Sequence, residues 1–335
     1  MKQITYSSDP WFPSRKDTFT LFAAITHVCN QRCLHCFAAE DVLPKNLEDK
    51  WWYALFDQLA EIEASRLFFT GGEPLIHPSF FEYASYATKK SIPVILGTNA
   101  TLITPLLSKN LVDVGISEAR VSLDGANVIS HDCLRGEGSF EKTLNGIRLM
   151  IEAGIAVSIR TTVNKLNFQE LQKMAELIVG LGVSDWEIKH IIPAGNAKKH
   201  PELLTSSMER TVALNIILNM VKTNTFPDLK IKLMEGTINR DAIIPESIKV
   251  ASCPAGTRMM VVQPTGDVIP CGYLTSSVLG NITKESLKTI RENWEKEKKK
   301  DEKFLVPEGC KNCKHVQICK GGCPAFNFCN EDVGV

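Results

Sequence analysis

Apolar positions along this chain change their period at regular intervals. Between residues 18 and 195, short runs rich in strand-forming residues recur: FTLFAAIT (19–26), RLFFT (66–70), IPVILGT (92–98), ARVSLD (119–124), IAVSIRTTV (155–163) and WEIKHII (186–192). The stretches between them place apolar residues three and four apart, as in Trp52, Leu55, Phe56, Leu59 and Ile62, or Leu171, Met174, Ala175 and Ile178. That spacing predicts helices with one buried stripe. Runs apolar on both faces predict strands covered on both sides, so six β–α repeats predict a parallel sheet with helices outside it. A closed eight-fold barrel takes ~250 residues, whereas these six units take about 175. The expected fold is therefore α/β, an open, partial (β/α)6 barrel of the TIM type.

Past residue 200 the pattern changes twice. Residues 201–250 read as a helical connector, carried by ERTVALNIILNMVKT. Residues 251–335 read as a small cysteine-rich unit, with β-hairpin signals in MMVVQPTGDVIPCGYL and a helix running from Ile282 through Leu287, Ile290 and Trp294. With 1–17 as an N-terminal extension and 18–200 as the barrel, four segments are expected. The run EKEKKKDEK (295–303) mixes both signs and reads as a solvated helix end.

Charge alters the picture by exclusion. Lys+Arg and Asp+Glu both number 38, so no overall field favours nucleic acid or an anionic membrane. No apolar run approaches the ~20 residues needed to span a bilayer, and MKQITYSSDPWF has no signal-peptide core. A cytoplasmic protein is expected. Cysteine usage adds more, because 11 cysteines without an export signal argue for metal ligation over disulfides. Ten of them cluster, and Cys133 stands apart as an expected small apolar filler.

The strand ends carry the chemistry-bearing residues, as parallel α/β folds require. After the first strand, THVCNQRCLHCFAAE holds Cys29, Cys33 and Cys36. Thiolates are soft ligands suited to iron–sulfur clusters, and three of them on a four-iron cubane leave one iron open to a small molecule. A zinc site or incidental cysteines are the competing readings. The C-x3-C-x2-C loop in this position resembles the signature of the radical S-adenosylmethionine (SAM) superfamily. The resemblance implies that the open iron chelates the amino and carboxyl groups of SAM, and that an electron cleaves the sulfonium to give a 5′-deoxyadenosyl radical. It further implies cofactor contacts from the segment TGGEP, namely Gly71, Gly72, Glu73 and Pro74, with Glu73 accepting from the methionine ammonium. His35 matches the aromatic position on the adenine, or is a loop histidine. Thr98, Asn99, Ser122 and Asp124 match ribose and carboxylate contacts. Arg160 would pair with the SAM carboxylate or form a structural ion pair, and Ile191 and Pro193 would flank the adenine or simply close the sixth strand.

A second resemblance covers the C-terminal cysteines. Cys253-x12-Gly266-x4-Cys271, a gap, then Cys310-x2-Cys313-x5-Cys319-x3-Cys323 and finally Cys329 resemble the SPASM extension of radical SAM enzymes. It implies two auxiliary [4Fe–4S] clusters, three clusters in all. Cys253, Cys271 and Cys323 would hold the nearer one, and Cys310, Cys313, Cys319 and Cys329 the farther. Structural zinc, which prefers four ligands in two pairs, fits seven cysteines in this order poorly. Cys329 follows Cys323 more closely than in many relatives, which leaves two readings: it is the last ligand, or the last ligand lies beyond residue 335.

The two resemblances imply a radical SAM oxidoreductase that abstracts a hydrogen atom and passes the remaining electron to an auxiliary cluster, fed by an external donor such as flavodoxin or ferredoxin. The first expectation for its substrate is a ribosomally made peptide, oxidatively cross-linked. About 18 residues precede the first strand, which leaves no room for a leader-recognition domain, so a separate leader-binding protein would supply it. The runner-up is a side-chain decarboxylase of porphyrins, as in the alternative haem pathway. A non-enzymatic iron–sulfur electron carrier is the third reading, which TGGEP and the TNA segment (98–100) oppose.

Overall fold

The structure is a computed structural model that describes residues 19–38, 46–62, 65–234, 248–250, 253–298, 305–306, 308, 311–313, 316 and 322–325. Six strands form where both-face burial predicts them: β1 (Phe19–Thr26), β2 (Ser65–Gly71), β3 (Val94–Thr98), β4 (Glu118–Ser122), β5 (Ala156–Val163) and β6 (Asp185–His190). They pair in chain order, every neighbour parallel. Six helices connect them: α1 (Asp49–Ala60), α2 (Phe80–Lys89), α3 (Pro105–Asp113), α4 (Val128–Arg135), α5 (Ser139–Glu152) and α6 (Leu171–Gly180). The α/β partial barrel expected from the periodicity is present.

Side chains of β1 divide between two cores, as the two-residue period of a strand requires. Leu21, Ala23 and Ile25 join the main core with Trp52, Leu55, Phe56 and Leu59 of α1. Phe22 and Ala24 face the lumen, where they pack with Phe68, Ile95, Val261 and Ile269. The Phe22 and Phe68 rings stack with centroids 4.6 Å apart. Burying each such ring contributes roughly 1.5–3 kcal/mol, so an apolar plug floors the lumen below the strand ends.

More strands join the sheet than the six expected. Residues 201–250 carry α7 (Ser207–Lys222), which opens with a capping box between Ser206 and Glu209, but also β7 (Lys230–Leu233) and β8 (Lys249–Val250), parallel beyond β6. At the other edge β9 (Met259–Val262) pairs parallel with β1 and antiparallel with β10 (Asp267–Ile269), which in turn pairs with β11 (Gly280–Asn281). The hairpin expected in MMVVQPTGDVIPCGYL is this β9–β10 pair, turning through Gly266 at φ 87°, a left-handed conformation that favours glycine. Its docking on β1 sets Cys271, just past β10, beside the mouth of the barrel. Helix α8 (Leu287–Glu297) follows, burying Leu287, Ile290 and Trp294.

Among the described residues no helix is long and apolar enough to cross a membrane. Cys133 departs from expectation: it lies exposed on α4 instead of filling the core.

Candidate active site

The loops after β1, β2, β3, β4 and β6 meet at one cleft. Its walls include Cys29, Cys33, Cys36, His35, Gly71, Gly72, Glu73, Thr98, Asn99, Ser122, Arg160 and Ile191. Three other expected contacts stand back from it. Pro74 is buried at the start of a 3-10 turn, Pro193 is buried, and Asp124 is fully buried, bonded to His35 and Arg135.

The two glycines of TGGEP act on the cysteine loop itself. Gly72 N–H donates to the Thr26 carbonyl at 2.7 Å and Glu73 N–H to the Val28 carbonyl at 2.9 Å. A Cβ on Gly72 would run into the Val28 carbonyl oxygen, and one on Gly71 into that of Thr26. No side chain fits where these two backbones touch. Gly72→Ala is expected to cost at least about 1–3 kcal/mol, the range for overpacking. A thermal-unfolding midpoint equal to that of the unmodified protein would contradict this.

Glu73 sits at 0% exposure with Oε1 accepting from Thr98 Oγ1 at 2.9 Å and Oε2 accepting from Asn99 N–H at 2.9 Å. Burial pushes its carboxyl up to about 7 despite these donors. Asn99 Nδ2 donates to Asn30 at 2.9 Å and lies 3.9 Å from Cys29 Sγ. The third strand's end thus ties the GGEP carboxylate to the cysteine loop.

Asp124 anchors the opposite wall. It accepts from Arg135 Nη2 at 2.6 Å and Nε at 2.7 Å, from His35 Nε2 at 3.0 Å and from Thr162 N–H at 2.6 Å. Burial alone would raise its carboxyl, but the Arg135 and His35 charges with these donors hold it far below the usual carboxylate range. Arg135 Nη1 then reaches within 3.9 Å of Cys33 Sγ. Sequence reasoning passed over Arg135; the available signal was a basic residue on the helix following a strand end that carries an acid. Its helix is braced by Asn127, which caps Ser130 N–H, and by Glu170, which accepts from Asn127 Nδ2 at 3.0 Å and Ser130 Oγ at 2.6 Å.

The donor set suits an iron–sulfur cluster. Burial pushes the Cys33 thiol up to about 11 and raises Cys29, so these sulfurs need a metal to become thiolates. N–H groups already address them: Gln31 N–H at 3.4 Å and Asn99 Nδ2 to Cys29, Arg135 to Cys33. Asn196, after β6, clamps the loop by donating from N–H to the Cys36 carbonyl at 2.9 Å and from Nδ2 to the Cys33 carbonyl at 3.2 Å.

Arg160 forms an ion pair with Glu187 of β6, which Arg120 of β4 also meets at 3.3 Å. It lines the cleft as well, so the structural pairing and a ligand-facing position coexist. A second, more apolar cavity continues from the first through His27, Phe37, Phe68, Arg160, Lys189 and Tyr273, and reaches Cys253, Cys271 and Cys323. Those three expected auxiliary ligands therefore share one cavity wall. Cys313 is described and lies apart from it, while Cys310, Cys319 and Cys329 fall outside the described residues.

A partial α/β barrel with a three-thiol loop at its mouth and a cysteine-lined cavity alongside defines an iron–sulfur enzyme of the barrel type. Residues 24–178 match the model of the radical SAM superfamily, and residues 253–314 match SPASM, an iron–sulfur cluster-binding domain. The AdoMet-dependent heme synthase of Methanosarcina barkeri is 32% identical over 317 residues, covering 89% of this chain and 88% of that protein. The mycofactocin maturase MftC of Mycobacterium tuberculosis is 25% identical over 319 residues, covering 91% and 78%. Among solved structures, native anSMEcpe with bound AdoMet and Cp18Cys peptide superposes with a TM-score of 0.73 at 22% identity, covering 91% and 89%, a likeness of fold. This chain belongs to the radical SAM superfamily and carries a C-terminal SPASM domain. It is an enzyme using SAM, a [4Fe–4S] cluster and auxiliary iron–sulfur centres, which sets aside the electron-carrier reading.

Proposed function

We propose that the enzyme acts on an amphipathic polycarboxylate of the porphyrin type, converting a propionate side chain to a vinyl group with loss of CO2. One observation carries this choice over a peptide: a buried ammonium, that of Lys189, stands where the two cavities meet. Arg120, Arg160 and Lys232 of β4, β5 and β7 gather around Glu187 of β6, and Lys189 lies one inward step above that group. Among the described residues no carboxylate stands within ion-pair distance of the Lys189 ammonium, and a buried cation so placed favours an anionic ligand. The walls beside it, Phe22, Phe37, Phe68, Met259, Val261 and Tyr273, suit a flat apolar ring. The heme synthases, which match nearly end to end, lend support.

In this reading Cys29, Cys33 and Cys36 hold the cluster, which when bound supplies the electron that splits SAM. Glu73 receives the methionine ammonium, His35 and Ile191 border the adenine, and Thr98, Asn99 and Ser122 meet the ribose and carboxylate. One hydrogen atom would leave the propionate carbon next to the ring for the 5′-deoxyadenosyl radical, giving 5′-deoxyadenosine. The bond to the carboxylate then breaks, CO2 leaves, a carbon–carbon double bond forms, and one electron goes to an iron–sulfur acceptor. The external donor is a flavodoxin or ferredoxin.

Two expectations follow from this assignment. Glu73 with its carboxyl near 7 carries a proton below that pH and must lose it to pair with the ammonium. SAM affinity should therefore rise between pH 6 and 8, by at most about tenfold per pH unit, and Glu73→Gln should bind weakly with no such rise. A pH-independent affinity in the unaltered enzyme contradicts the role. Three cubanes, with Cys253, Cys271 and Cys323 on one auxiliary centre and Cys310, Cys313, Cys319 and Cys329 on the other, give roughly twelve irons per chain after anaerobic reconstitution. A value near four removes the C-terminal assignment.

The substrate test is direct. Reduced holoenzyme with SAM and iron coproporphyrin III is expected to release 5′-deoxyadenosine and vinyl-bearing porphyrin in proportion, read by mass spectrometry. Unchanged porphyrin overturns the reading. The peptide reading rests on the mycofactocin maturases, which align over 91% of this chain, and turnover of a ribosomal precursor peptide, with its leader-binding protein, would favour it instead.

A further inference from the structure

We propose that Lys189 is the residue that grips a substrate carboxylate in the throat between the two cavities, an inference that rests on the anionic-substrate reading above.

Position is the first argument. Lys189 lies on β6 opposite Thr162 of β5, one inward step above the Arg160–Glu187 pair, and it lines both the SAM-side cleft and the cysteine-lined cavity. Its ammonium therefore belongs to the lining that the two cavities have in common.

Setting is the second. The ammonium stands 5.4 Å from the Phe37 ring centroid and 4.9 Å from that of Tyr273, and donates to the Tyr273 hydroxyl. Phe37 follows Cys36 and Tyr273 lies two residues past Cys271, so the lysine is held between the loops of two metal centres. Aromatic faces offset part of the cost of burying a cation, and they fix a long side chain that would otherwise sample many rotamers.

Charge is the third. Among the described residues no carboxylate stands within ion-pair distance of Lys189, and Glu187, the acid it senses most, already serves Arg160 and Arg120. Burial, with Arg160 nearby, lowers its ammonium to about 8, the effect of desolvating a cation. An ammonium has three donors and the tyrosine takes one. A carboxylate accepting from another would sit in the same cleft that Cys29, Cys33 and Cys36 line.

A purely structural lysine, bracing the SPASM loop against the barrel, would occupy the same place, so the test separates charge recognition from bracing. Reconstituted holoenzyme is titrated with iron coproporphyrin III and with its tetramethyl ester, following the porphyrin absorbance. The unaltered enzyme is expected to bind the acid more tightly than the ester. Lys189→Met should weaken binding of the acid by about tenfold or more, which is 1.4 kcal/mol, and leave the ester unchanged. Lys189→Gln, which keeps a polar donor without the charge, should do the same and serves if the methionine variant does not fold. Equal loss for acid and ester shows a brace and overturns the proposal, as does an acid preference that survives both substitutions. An unaltered enzyme that shows no acid preference at all overturns the anionic-substrate reading together with it.

Discussion

Replacing Cys33 by alanine is expected to reduce 5′-deoxyadenosine release under dithionite to the no-enzyme background. Cys33 is 9% exposed and sits between the Asn196 clamp on its carbonyl and the Arg135 guanidinium beside its sulfur. The two thiolates left in the loop cannot substitute, because each cysteine ligates its own iron of the cubane. Iron content should drop by about four of the roughly twelve expected, which distinguishes loss of this centre from general damage. Folding should survive, since a buried thiol behaves as a small apolar side chain. Cys133→Ala, on the exposed face of α4, is the control and should leave both quantities unchanged. Undiminished release from Cys33→Ala would refute the role of the loop.

Asp124→Ala should be the most damaging single change outside the cysteines. The carboxylate receives two Arg135 donors, His35 and the Thr162 N–H while fully buried. Removing it strands a buried guanidinium, which costs about 3–5 kcal/mol, and releases both His35 and the group that approaches Cys33. Loss of stability and loss of SAM binding are both expected, measured by denaturant unfolding and by titration of the reconstituted protein. The pH dependence has a definite sign. The folded carboxyl is held below its unfolded value near 3.9, so its contribution is complete above that pH and disappears as pH falls through the lower folded value. Stability from this group should therefore be flat between pH 8 and about 4.5. A variant that unfolds at the same denaturant concentration as the unaltered protein contradicts the account of this wall.

Much of this was legible because buried parallel strands leave nearly continuous apolar runs. The six runs became β1 to β6 with boundaries shifted by a residue or two, and TGGEP fell at the end of β2, where it meets the cysteine loop. Strand β7 was hidden for a physical reason. KIKL alternates lysine with apolar residues, the pattern of an exposed edge, yet Lys232 is 5% exposed and points into the lumen. The same inversion applies to Glu187 and Lys189 on β6, whose neighbours Trp186 and Ile188 face the helices. A sequence pattern separates two faces but does not say that the charged one is enclosed. Arg135 was missed because its partners, Asp124 and Cys33, come together only through the fold. Cys133 was misplaced for the opposite reason: its chemistry suggests burial, but its place on α4 turns it outward.

The central claim is that three sulfurs leave one cluster iron free to bind the amino acid end of SAM. It is tested most directly by the EPR spectrum of the anaerobic, dithionite-reduced enzyme before and after SAM is added. One cluster signal should shift its g-values on addition in the unaltered enzyme, with no such shift in Cys33→Ala. A spectrum indifferent to SAM in the unaltered enzyme would contradict the account.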